Sequence, residues 1–77
     1  MIDSKYGKVV LEKKPDAPEN EPCFVLRAQD ILAPAAVFAY ATLVEASLPG
    51  IAGRNAAARI RDRAGEMAAW SKRKLPD

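Results

Sequence analysis

The sequence predicts a small α+β fold, in which short N-terminal strands precede an antiparallel two-helix hairpin. The chain has 77 residues and a mass of 8.3 kDa, which suffices for one small domain. Three prolines within residues 15–22 exclude a helix from the first part of the chain. After residue 33, two segments carry apolar residues at helical spacing, and Pro49-Gly50 separates them.

Residues 1–22 are predicted to form an extended, proline-rich arm. Its one apolar patch spans residues 9–11, and the polar stretch 12–22 has little apolar surface to pack. Residues 6–11 fit a short strand. We therefore divide the chain into this arm and a domain at 23–77, which contains a strand and the helical hairpin.

Residues 23–28 form the strongest candidate strand, because they are rich in β-forming side chains and are bounded by Pro22 and Asp30. Side chains alternate between the two faces of such a strand, and Arg27 is the last residue on a face that is partly apolar. A single strand is not stable in water. It therefore needs an edge, either from residues 9–11 or from a second copy of the chain.

The first helix is predicted to begin near Pro34, which suits the first helical position, and to stop at Pro49-Gly50. Asp30 can cap the preceding turn. Apolar residues at spacings of three and four define one face of this helix. The face expected to pack inward consists of Val37, Tyr40, Ala41, Val44 and Leu48.

The second helix is predicted to run from Arg54 or Asn55 to Lys72 or Arg73. The short link between the helices makes them antiparallel neighbours. The inward stripe consists of Ala57, Ile60, Ala64, Met67 and Ala68. The opposite, charged side consists of Arg59, Asp62, Arg63 and Glu66.

Large apolar side chains are scarce in this chain, since 15 of its residues are alanine. Even so, two layers cannot cover all of the large side chains that are present. Those left over are Phe24, Leu26, Phe38, Leu43 and Leu75. We therefore expect a homo-oligomer, because association is a common way for small domains to complete a core.

Composition argues against most catalytic and metal chemistry. The chain has no histidine, and its one cysteine is Cys23, so a zinc site lacks ligands and no internal disulfide forms. The serines have no histidine to activate them, and the glycines match no phosphate-binding loop. We expect a protein that is not an enzyme and that needs no metal and no cofactor.

Neither a signal peptide nor a membrane helix is predicted. The first residues lack the basic and apolar blocks of a leader, and no apolar run approaches the ~18 to 20 residues that span a bilayer. We expect a cytoplasmic protein without a membrane partner.

The charge is polarised along the chain although the net charge is only +2. Residues 34–77 carry seven basic and four acidic side chains, a balance of +3, whereas residues 1–33 carry five and six, a balance of −1. The basic side chains of the second half can donate to phosphates or can simply form a solvated face. These side chains include Arg59, Arg61, Arg63, Lys72, Arg73 and Lys74.

A ligand site is predicted from side-chain chemistry alone. The candidate binding residues are Arg27, Tyr40, Trp70 and Lys72. Tyr40 and Trp70 can lie close together in an antiparallel hairpin, and aromatic faces beside cations hold nucleobases and phosphates. The alternatives are that both rings pack against the neighbouring helix and that Arg27 pairs with Asp30 or Glu21.

The run from Glu21 to Asp30, followed by Leu32-Ala33-Pro34, resembles a family of small bacteriophage and prophage proteins with the motif FVLRAQD-x-LAP. The ending from Trp70 to Asp77 is similar too. The resemblance implies a bacterial host cytoplasm and action by binding. One class of such phage proteins sequesters nucleotide signals of bacterial immunity in pockets between oligomer subunits, but no binding residue carries over to this chain.

The leading hypothesis is a non-catalytic homo-oligomer that sequesters an anionic, nucleotide-like immune signal and so counters bacterial defence. A protein-binding inhibitor, acting on a host protein, or a virion accessory protein is the alternative, and it predicts an exposed apolar patch. Nucleic-acid binding is a second alternative. The low net charge disfavours it, because phosphate-driven affinity needs several clustered cations.

Overall fold

The computed structural model describes residues 1–76 and contains three short strands followed by two helices. The elements are β1 (Ile2–Asp3), β2 (Gly7–Lys8), β3 (Pro22–Cys23), α1 (Ala33–Ser47) and α2 (Gly50–Ala68). The helices pack against each other as a hairpin. This confirms the predicted small α+β fold.

The sheet has the strand order β2-β1-β3, so that β1 is central. β1 pairs antiparallel with β2 and parallel with β3. The tight turn from β1 into β2 ends at Gly7, whose φ of +80° is a left-handed conformation that favours glycine. Since β1 and β2 lie within residues 1–22 and β3 spans residues 22–23, the sheet crosses the predicted domain boundary.

The predicted strand over residues 23–28 is wrong in length and in partner. Only Pro22–Cys23 is a strand, and it pairs with β1 instead of residues 9–11. The ladder ends early because the backbone N–H of Val25 donates to the carboxylate of Asp3, at 2.5 Å, and not to a neighbouring strand. A side-chain acceptor thus replaces the ladder hydrogen bond.

α1 begins and ends close to the predicted positions. Pro34 lies in its first turn, and the Asp30 carboxylate accepts a hydrogen bond from the backbone N–H of Leu32 at 2.8 Å, which caps the turn before the helix. The helix ends at Ser47, two residues before Pro49.

α2 is displaced toward the N-terminus relative to its prediction. It begins at Gly50, not at Arg54 or Asn55, and it ends at Ala68, not at Lys72 or Arg73. At the earlier end, the Arg73 guanidinium donates to the carbonyl of Ala68 at 3.1 Å and so caps the helix, while the same side chain also donates to the distant carbonyl of Ile31.

The interface between the helices is built from very small side chains. Its buried residues are Ala33, Ala41, Gly53, Ala57 and Ala64. A methyl group at position 53 would overlap the backbone carbonyl of Leu48, so glycine is required where α2 passes closest to the end of α1. Within residues 1–76 no large side chain is fully buried. The hairpin is therefore close-packed but encloses little apolar volume.

Candidate functional site

A cavity of about 180 Å³ lies where three separate segments meet. Residues 3–6, residues 24–30 and residues 74–76 contribute to its lining. Its volume is below the ~300 to 1,000 Å³ of common small-molecule sites. The cavity can therefore hold a small group or one part of a larger ligand.

Asp3 joins the first two of these segments. Its Oδ1 accepts hydrogen bonds from the backbone N–H groups of Lys5 and Tyr6, each at 2.8 Å, and its Oδ2 accepts one from Val25. The residue is only 3% exposed. The hydrogen bonds from Tyr6 and then from Val25 hold the pKa of the Asp3 carboxyl below its usual value, against the opposing effect of burial. Asp3 is thus a charged structural anchor beside the cavity.

The C-terminal segment docks on the residues before α1. The backbone N–H of Lys74 donates to the carbonyl of Gln29 at 2.6 Å, and the carbonyl of Lys74 accepts from Ile31 at 2.9 Å. The Arg73 guanidinium also donates to the carbonyl of Ile31, at 3.1 Å. These bonds close the cavity on its third side.

The charges around the cavity favour an anion. Lys5 and Arg27 line the cavity and form no salt bridge within residues 1–76, whereas both carboxylates of the lining, Asp3 and Asp30, already accept backbone N–H groups. The Arg27 guanidinium lies 5.4 Å from the centroid of the Tyr6 ring, and the Lys5 ammonium lies 5.6 Å from it. Two cations therefore lie close to the same aromatic ring.

The four predicted ligand-binding residues lie in different parts of the molecule. Arg27 lines the cavity, and among residues 1–76 it forms no salt bridge with Asp30 or Glu21. Tyr40 is on the outside of α1 and is 60% exposed, which corrects its predicted inward position. Trp70 and Lys72 are exposed in the segment after α2. Of the four predicted residues, only Arg27 lines this cavity.

The register of the hairpin places Tyr40 and the end of α2 at different levels along the hairpin axis. The Arg61 guanidinium pairs with Glu45 at 3.1 Å and lies over the Phe38 ring at 5.3 Å, so Arg61 is opposite the middle of α1 and near the level of Tyr40. The end of α2 lies about 10 Å further along the axis, toward the start of α1. Trp70 comes after that end. Trp70 therefore does not lie at the level of Tyr40 along the hairpin axis.

The predicted basic cluster is divided by the fold. Arg61 bridges the two helices, and Arg73 holds the chain after α2 in place through its hydrogen bonds to two backbone carbonyls. Arg63 pairs with Glu66 on the surface at 2.9 Å. Arg61, Arg63 and Arg73 thus each have a partner within the folded chain.

A feature that sequence reasoning missed is the exposed side of α1. Its residues at spacings of four, three, four and three are here named the outer seam. The outer seam consists of Leu32, Ala36, Ala39, Leu43 and Ala46, all exposed. Within α1 the one charged residue is Glu45, which is paired with Arg61 and does not belong to the outer seam. The periodicity of the outer seam was visible in the sequence.

No protein-family model, curated protein or solved structure matches this chain. The resemblance to phage proteins and their motif therefore stays a prediction. Within residues 1–76, no helix has the length and apolar character that crossing a bilayer requires.

Proposed function

We propose that this chain is a non-catalytic association protein, which binds another protein surface through the outer seam of α1. The observation that carries the proposal is an exposed helix face without charge along its whole length. An exposed apolar patch was the feature predicted for the protein-binding alternative. Continuous patches of this kind mark interaction sites in soluble proteins.

The two helices differ sharply in what they present to solvent. Leu32 and Leu43 of the outer seam are 56% and 64% exposed, and Tyr40 flanks them. Covering a side chain of this size contributes about 1.5 to 3 kcal/mol when burial is complete. α2 instead exposes charged side chains, among them Arg59 and Asp62. The contrast supports α1 as the binding helix and α2 as the solvated one.

A photo-crosslinking amino acid placed on each helix tests this function. Ala39 lies on the outer seam, and Ala58 is a matched exposed alanine on α2. We expect p-benzoylphenylalanine at position 39 to give protein adducts on irradiation in expressing cells, and the same residue at 58 to give none. Absence of adducts from position 39, or equal adducts from both positions, would contradict the function.

A second candidate function is the binding of a small anionic ligand, such as a nucleotide, in the cavity. Its support is the pair of cations, Lys5 and Arg27, over the Tyr6 ring. An aromatic face with adjacent cations can stack a base and bind its phosphate. Sequestration of an immune signal, as the phage resemblance implies, would be one use of such a site.

Titration with a panel of linear and cyclic nucleotides tests this second candidate. If the cavity is the site, Arg27→Ala should weaken binding about tenfold or more, because it removes a charge-assisted hydrogen-bond donor. Lys72→Ala is the control, since Lys72 is exposed outside the cavity lining. Equal loss in both variants, or no binding by the unsubstituted protein, would contradict the site.

A further inference from the structure

We infer that the protein covering the outer seam of α1 is a second copy of this chain, so that two hairpins pack α1 against α1 as a four-helix dimer. The inference rests on the proposed function and names its partner. It follows from the spacing, the side-chain sizes and the charge of this face, together with the exposed area of the whole chain.

α1 carries two apolar seams on opposite sides. The seam toward α2 consists of Pro34, Val37, Ala41 and Val44, which are buried or half-buried and lie at spacings of three and four. The outer seam repeats the same spacing about half a turn away. Spacings that average 3.5 residues are typical of helices packed side by side in bundles. A helix that is apolar on both sides normally has a neighbour on both sides, and residues 1–76 supply only one.

The sizes of the side chains along the outer seam are self-complementary. Leucine occupies positions 32 and 43 of the outer seam. Alanine occupies positions 36 and 39, between the two leucines, and position 46, after the second. In an antiparallel two-fold pairing centred near Ala39, Leu43 of each copy would lie against the small Ala36 of the other. A two-fold dimer uses the same patch on both subunits, so a patch that fits itself favours this arrangement.

The absence of charge on the outer seam favours an apolar partner surface over a charged one. An acidic or basic partner would find no opposite charge there, whereas a second outer seam is equally apolar. Charged residues remain on the outside of α2, which would face solvent in the dimer. They are Arg59, Asp62, Arg63 and Glu66. This division matches a bundle with α1 inside and α2 outside.

The exposed area is larger than one folded copy should have. A compact monomer of this mass exposes about 4,600 Å², whereas this chain exposes 5988 Å². The excess, roughly 1,400 Å², exceeds the ~800 Å² per partner that a standard stable interface buries. The chain therefore has enough surplus surface to form a dimer of ordinary size.

Mass measurement on three forms of the protein tests the dimer. Light scattering after size exclusion and native mass spectrometry should give twice the chain mass for the unsubstituted protein. Leu43→Glu should give the mass of one chain with its helical circular dichroism retained, because Leu43 is 64% exposed within one copy. Ile51→Glu is the matched control, since Ile51 is 67% exposed at the start of α2 and lies off the outer seam. We expect Leu43→Glu to raise the dissociation constant at least about a hundredfold and Ile51→Glu to leave it unchanged.

The outcomes separate the dimer from the proposed function. A monomer at all concentrations, a mass other than that of two chains, or dissociation by Ile51→Glu but not by Leu43→Glu would overturn the dimer. If Leu43→Glu fails to fold, the photo-adduct from position 39 decides, since a mass of two chains supports the dimer and any other protein mass overturns it. An adduct with a different protein would leave the proposed function standing. If the protein is monomeric and position 39 gives no adduct, both the dimer and the proposed function are overturned.

Discussion

Asp3 is a single residue on which several parts of the fold depend. Its carboxylate accepts backbone hydrogen bonds from the turn after β1 and from Val25, far along the chain. Sequence reasoning did not single it out, because an aspartate near a chain end resembles a solvated charge. The long-range bond to Val25 exists only once β1 and β3 are paired.

Replacement of Asp3 by asparagine should destabilise the protein. The amide retains one acceptor but places an NH₂ group where the second oxygen accepts, so one or more of the three backbone N–H groups loses its partner. We expect a lower midpoint in urea denaturation at pH 7. The matched control is Asp16→Asn, because Asp16 is exposed and lies in the loop before β3.

The effect of Asp3→Asn should depend on pH. Backbone hydrogen bonds lower the pKa of Asp3 in the folded state below the ordinary value of 3.8. The carboxylate therefore stabilises the fold fully above pH 3.8, and this contribution is lost as the pH falls through the folded-state pKa. Denaturation midpoints of the two proteins should thus converge in acid. If the difference between the two denaturation midpoints stayed constant from pH 7 down to pH 2, the negative charge of Asp3 would not be what stabilises the fold.

At the scale of elements, the bounds of α1 could be predicted from local sequence signals, whereas the bounds of α2 could not. Proline and glycine act on their immediate neighbours, so Pro34 and Pro49 mark the ends of α1 in the sequence as well as in the structure. The bounds of α2 depend on tertiary contacts. Gly53 looks like part of a linker, yet it is the helical position where the Leu48 carbonyl leaves no room for a methyl group. The end of α2 likewise depends on Arg73.

The two seams of α1 explain why the candidate site was only partly predictable. Helical periodicity identifies an apolar face when the opposite face is polar. α1 is apolar on nearly all sides, so periodicity cannot decide which residues contact α2, and Tyr40 was assigned inward although it is exposed. Arg27 was predicted from its chemistry, but its neighbour Tyr6 comes from a distant segment that no local pattern connects to it.

At the scale of the whole molecule, the chain is extended for its length. Its radius of gyration is 14.0 Å, and its extents are 36 × 33 × 18 Å. A compact domain of this length has a radius of about 11.5 Å. The buried hydrophobic residues of the described chain are all alanines, each of which buries one methyl group. With each buried CH₂ contributing about 0.8 kcal/mol, a core of this kind stabilises a single copy weakly.

Thermal stability should therefore depend on protein concentration. If folding and association through the outer seam are coupled, a tenfold dilution removes about 1.4 kcal/mol per dimer. For a folding unit of two such chains this lowers the Tm by about 3 to 6 °C. Scanning calorimetry across a hundredfold range of concentration measures the shift, and Leu43→Glu should show a lower Tm that no longer changes with dilution. A constant Tm for the unsubstituted protein would mean that one copy is stabilised by its own contacts, and the alanine interface of the hairpin would then be sufficient.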